Sequence, residues 1–161
     1  MGKIYVQGKP DHREIKLQTR LGHDIDNNQD WDFSVNEKVP DFSKDYSRAI
    51  PRNNPNPFYN CYGKTFASSR TMIGIESVRM ILDDDGYTEI SKDNILPGDI
   101  IIYYDLKGEV VHSGVVVRKQ DPQSIYPWVV SKWGMLNEFC HLAYDCPYQP
   151  FSKMDYWRIT K

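Results

Sequence analysis

Leu96-Pro97-Gly98-Asp99-Ile100-Ile101-Ile102-Tyr103-Tyr104-Asp105-Leu106-Lys107-Gly108-Glu109-Val110-Val111-His112-Ser113-Gly114-Val115-Val116-Val117-Arg118 is the stretch on which the fold class turns. It opens on a turn, Leu96 to Asp99, and continues as an apolar run of strand length, Ile100 to Tyr104. Lys107-Gly108 predicts a hairpin turn, and Glu109 to Arg118 a longer strand rich in β-branched valine. Upstream the pattern is helical. Asn60 is a good N-cap for a short helix over Cys61 to Ser69. Ile75, Val78, Ile81 and Leu82 recur at helical spacing, with Gly86 to close that second helix. Asp83 to Asp85 sit at the wrong end for the helix dipole and read as a solvated turn. Downstream, Tyr126 to Ser131 is a third strand candidate and Tyr156 to Thr160 a fourth. Helices followed by a mostly antiparallel meander make the expected fold class α+β.

Residues 1–57 read differently. They are polar, with the runs HDIDNNQDWDF and PRNNPNP, and only KIYVQ (3–7) and the spaced Ile15, Leu17 and Leu21 hint at regular structure. The expected organisation is therefore an N-terminal arm over 1–57 and a domain over 58–161. At 161 residues one ordinary domain can bury its own core without a metal or disulfide staple. Twenty Lys and Arg against 22 Asp and Glu leave a net charge of −2. The basic residues are scattered, so no nucleic-acid partner is expected. No apolar run approaches bilayer length, so no membrane partner is expected either. The opening MGKIYVQGKPDHREIK has no apolar h-region. The expected location is the cytoplasm, or outside the cell as an effector exported without a cleavable signal peptide. Three cysteines, an odd number, exclude a complete set of internal disulfides.

Two residues could carry chemistry. Cys61, in the first helical turn behind Asn60, meets unpaired backbone N–H groups and the positive end of the dipole, which favour the thiolate. Gly63 beside it would let a substrate backbone approach. The bland alternative is a buried core cysteine. His112 interrupts a valine-rich strand, where an ionisable ring needs a partner. Gly114, two residues on and on the same face, leaves room beside it. A satisfied structural histidine is the alternative there. Cys140, His141 and Cys146 form C-H-x4-C, which falls short of the four ligands, or three plus water, that zinc takes; His12 and His23 lie in the arm. No metal and no cofactor are expected. Asp30-Trp31-Asp32 reads as a solvated turn, and no phosphate-cradling glycine loop is visible.

The order N-C-Y-G opening a helix, then L-P-G-D-I-I-I-Y-Y, then V-V-H-S-G-V-V-V, resembles the NlpC-type branch of the papain-like cysteine peptidases and amidases. More narrowly, N-C-Y-G-x-T-F, I-L-D-D-D-G-Y and V-V-S-K-W-G resemble a bacterial subgroup of that branch. The resemblance covers about residues 58–135. It implies a papain-like fold, with N-terminal helices packed on a small antiparallel sheet, and a thiol hydrolase acting on a peptide-type amide. Cys61 would be the nucleophile and His112 the general base. The residue orienting that base would fall near Ser131, a weak orienter; His141, an imidazole ten residues on, is the alternative. The backbone N–H of Cys61, with Tyr59 or Tyr46, would form the oxyanion hole. The implied partner is a peptide or peptidoglycan-like amide substrate, with a protein partner met through residues 1–57. Two other functions fit the same residues: a catalytically inactive interaction domain on the same fold, and a thiol acyltransferase passing the acyl group to an amine.

Overall fold

The computed structural model describes residues 13–29, 39–119 and 123–160. Within them the chain forms, in order, β1 (Asn27–Asn28), β2 (Ile50–Pro51), α1 (Cys61–Ala67), β3 (Met72–Ile73), α2 (Glu76–Asp84), β4 (Tyr87–Ile90), β5 (Ile100–Tyr104), β6 (Val110–Arg118), β7 (Trp128–Lys132), β8 (Glu138–Leu142) and β9 (Lys153–Ile159). KIYVQ, His12 and Asp30-Trp31-Asp32 lie outside the described residues.

β5 and β6 form the antiparallel hairpin that Leu96–Arg118 predicts, with Ile100 opposite Val115 and Tyr103 opposite His112. Asp105 shapes its turn, its carboxylate accepting from the backbone N–H groups of Lys107 and Glu109. The hairpin sits inside a seven-stranded sheet of order β2-β8-β7-β6-β5-β9-β4. Every pairing in it is antiparallel. A second sheet, of two strands, joins β1 to β3.

This architecture corrects the expected fold class. An α+β, papain-like arrangement has helices packed on a small sheet. Here the sheet is the main body of the molecule, and the helices have seven and nine residues. Nor is the sheet a meander. β9, from the far end of the chain, lies between β5 and β4 and pairs with both. The physical reason is that both faces of the sheet are covered. The central strands therefore read as apolar runs, while β4 and β8, short and only partly buried near the two edges, mix apolar and polar side chains and carry no clear strand signal.

Antiparallel partners share a face and neighbours along a strand alternate, so the register sorts the side chains. Ile100 and Ile102 point to the face covered by α1 and α2, where they join Cys61, Tyr62, Ala67, Val78, Ile81 and Leu82. Ile101, Tyr103, Val116, Val129, Trp133 and Tyr156 belong to the opposite face, covered by Ala143, Cys146 and Tyr148 from the segment between β8 and β9. Tyr46 and Phe42 add a rim to that second layer, their rings against Trp133 at 5.8 and 6.1 Å.

The acidic run is the second departure from the sequence reading. α2 continues through Asp83 and Asp84 instead of ending before them. The arm compensates the unfavourable dipole end. Thr19 donates to the Asp84 carboxylate at 2.7 Å and His23 Nδ1 lies 2.6 Å from it. Arg20 donates its backbone N–H to the Asp85 carboxylate and its guanidinium to the Asp85 carbonyl. Hydrogen bonding from His23 and Thr19 holds the Asp84 carboxyl below its usual range.

Candidate functional site

Asn60 does more than cap α1. Its side-chain oxygen accepts from the backbone N–H of Gly63 at 2.9 Å and of Ile73 at 3.2 Å, and its amide donates to the Ile73 carbonyl at 2.9 Å. One buried side chain thus fixes both the first turn of α1 and its register against β3. Cys61 follows, buried on the helix-covered face. The space at Gly63 is filled by the chain itself, since a Cβ there would lie 1.8 Å from the carbonyl oxygen of Thr71. The glycine lets β3 approach, and that approach occupies the room expected for a substrate backbone.

His112 is on the other side of the sheet. Its neighbour Ser113 faces α1, where its hydroxyl meets that of Thr65 at 2.8 Å. Alternation therefore turns His112 away from the helix. Its ring stacks on Tyr148, centroids 3.9 Å apart and 13° from parallel, and tilts against Tyr103 at 5.3 Å. The side chain is fully buried, and neither ring nitrogen has a hydrogen-bond partner among the described residues. Cys61 and His112 are thus not joined by the hydrogen bond a thiol–imidazole pair needs. Burial, with a smaller contribution from His141, pushes His112 well below the ordinary histidine range. Gly114 leaves no opening: Val130 O, Ser131 Cβ and Ile101 Cγ2 stand within 2.9–3.4 Å of where its Cβ would be.

Ser131 and His141, the two alternatives for the orienting residue, are bonded to each other at 2.7 Å through His141 Nε2. His141 Nδ1 lies 2.7 Å from the Leu142 carbonyl, which accepts only, so Nδ1 carries the proton. Ser131 then donates to Nε2, while accepting from the Trp133 indole N–H at 3.1 Å. Both residues are fully buried, and burial pushes His141 down to about 4. The serine's one proton is committed to His141, and the network lies on the sheet face away from Cys61.

The oxyanion-hole candidates are also engaged elsewhere. Tyr59 donates to Glu138 at 2.7 Å and accepts from Asn53. Burial and the Glu138 carboxylate push Tyr59 up to about 12. Tyr46 packs on Trp133 in the layer away from Cys61. Two residues were not anticipated. Tyr148 covers His112. Lys132, fully buried, donates to the carbonyls of Asn56 and Gly134, both at 2.6 Å, with its ammonium 4.9 Å from the Tyr59 ring centroid. The S-K-W-G run contains the signal for the second: a lysine inside an otherwise buried strand must be paired.

Cys61, Cys140 and Cys146 are all present as thiols. Among the described residues no three His, Cys, Asp or Glu side chains gather as metal ligands. No helix among them is long and apolar enough to cross a membrane. No protein-family model, curated protein or solved structure matches the chain.

Proposed function

We propose that this domain works by binding a protein or peptide partner, and not through a Cys61–His112 reaction. The observation that carries this reading is the His112 ring, stacked under Tyr148 on the sheet face away from α1 with neither nitrogen bonded among the described residues. The filled space at Gly63 and the Ser131–His141 pair, bonded to each other on the far face, support it. The partner would be met through residues 1–57, whose described part exposes large apolar side chains: Val39 at 77%, Phe42 at 50% and Ile50 at 56%. Single exposed apolar residues are ordinary, but three within twelve positions of a polar arm suit a protein contact.

A thiol hydrolase or thiol acyltransferase, acting on a peptide or peptidoglycan-like amide, keeps one observation in its favour: Cys61 heads a helix whose first turn Asn60 organises. Alkylation separates the two readings. Iodoacetamide at pH 6 labels a thiolate activated by its surroundings far faster than ordinary thiols. On the binding reading Cys61 labels no faster than Cys140. Labelling of Cys61 tenfold or more ahead of Cys140 and Cys146 would overturn it in favour of the thiol enzyme.

A further inference from the structure

His112 presents an unusual situation for a fully buried side chain. Both ring nitrogens lack partners among the described residues, and the ring is covered by Tyr148 from the segment joining β8 to β9. His141, the second fully buried imidazole of this layer, is bonded through Nε2 to a hydroxyl and through Nδ1 to a carbonyl. The titratable and charged groups around the two rings come from several elements. β5 supplies Tyr103, whose hydroxyl donates to the Ala143 carbonyl at 2.7 Å. β9 supplies Tyr156, and the covering segment Cys146, Tyr148 and Asp145. Residues 39–49 supply Tyr46, which feels Cys146, Asp41 and Asp145. Asp145 is paired at 3.2 Å with Arg48. It bears on His141, and burial outweighs it there.

We propose that this layer is an acid-released latch: protonation of His112 and His141 frees the segment Ala143–Phe151 from the sheet and uncovers the apolar face beneath it. A second proton on either ring needs an acceptor. His112 has none among the described residues of the closed state, and on His141 an Nε2 proton requires the Ser131 hydroxyl to give up its donation to that nitrogen. Water supplies acceptors once the segment lifts, so the open state binds protons that the closed state refuses. Below the ordinary histidine pKa of about 6.5, each histidine of this kind raises the open fraction by up to tenfold per pH unit. Tyr103 ties the segment to the sheet through the Ala143 carbonyl and the Cys146 thiol, residues 41–48 hold it through Pro147, Gln149 and Asp145, and its rings pack against Tyr103 and His112. Opening would expose Ile101, Tyr103, Val116 and Val129 to solvent.

Cys146 reports the event, because it is fully buried in the moving segment. The test labels the intact protein with 4,4′-dithiodipyridine between pH 7.5 and 4.5. Cys146 modification is located by mass spectrometry and referred to the half-buried Cys140, while far-UV circular dichroism is followed in parallel. Cys146 labelling should rise at least tenfold by pH 5 with the circular dichroism unchanged. In His112→Phe the rise should be several-fold smaller, because only His141 is left to take up a proton. Three results would overturn the latch: no rise down to pH 4.5, a rise of equal size in His112→Phe, or a rise only with loss of the circular dichroism. Exchange of the imidazole C–H with deuterium in the wild-type protein gives a check that needs no variant. His112 and His141 should exchange with midpoints at least one pH unit below the ordinary histidine value of about 6.5, and midpoints at that value would refute the proposal.

Discussion

A single side chain can hold or spoil this architecture, and two do so measurably. Asn60 serves two backbone segments at once, so its loss should cost more than an ordinary N-cap. Asn60→Ala is expected to destabilise by about 2–4 kcal/mol in urea unfolding, against about 1 for a typical cap. A loss under 1 kcal/mol would mean that the Ile73 bonds carry no weight. His112 works in the opposite sense. An aromatic ring without polar atoms would keep the stacking on Tyr148 and remove two unpartnered nitrogens. His112→Phe should therefore stabilise by about 1–2 kcal/mol at pH 7, read from the same unfolding curves. Destabilisation of that size would show that the ring nitrogens are satisfied in solution. At this scale the sequence is partly legible. Asn60 announces itself as a cap from its type and place. His112 announces only that it is unusual, because which face a strand residue takes depends on a register that one strand does not reveal.

Elements are legible where contacts are local and opaque where they are not. The β5–β6 hairpin can be read from its turn residues and valines, and α1 from its cap. β8 is hidden because Phe139 and His141 face one layer while Glu138 and Cys140 face the other, and neither face is purely polar. β9 can be read as a strand, though not as one inserted between β5 and β4, since sequence pattern carries no information on so distant a pairing. The end of α2 teaches the same lesson. Asp83 and Asp84 stay helical, with Asp85 as the C-cap, because Thr19, Arg20 and His23, some sixty residues earlier, supply donors to Asp84 and Asp85. If those bonds hold the arm down, Asp84→Asn combined with Asp85→Asn should make Arg20 several-fold more susceptible to limited trypsin digestion. Cleavage at an unchanged rate would show that the arm is fixed by its pairing of β1 with β3 alone.

Across the whole molecule the two buried histidines set a pH dependence. Both are pushed down, so the unfolded chain binds protons that the native state does not, and stability falls as pH falls. For His141 the loss runs from about 6.5 down to about 4, and for His112 it continues lower. At pH 5 this amounts to up to about 2 kcal/mol for each histidine relative to pH 7.5. Denaturation curves at those two pH values should differ by that order, with His112→Phe removing about half of the difference. A flat profile would show that the rings are hydrated in solution. The same burial underlies the binding reading, because an imidazole closed inside a layer on the far side of the sheet cannot serve the thiol of α1. The most direct test is the alkylation rate of Cys61 by iodoacetamide at pH 6, compared between the wild-type protein and His112→Phe. The expected result is slow labelling, no faster than Cys140, and the same within twofold in both proteins. Rapid labelling that falls tenfold or more on replacing His112 would show that the two residues work as a pair and would contradict the account.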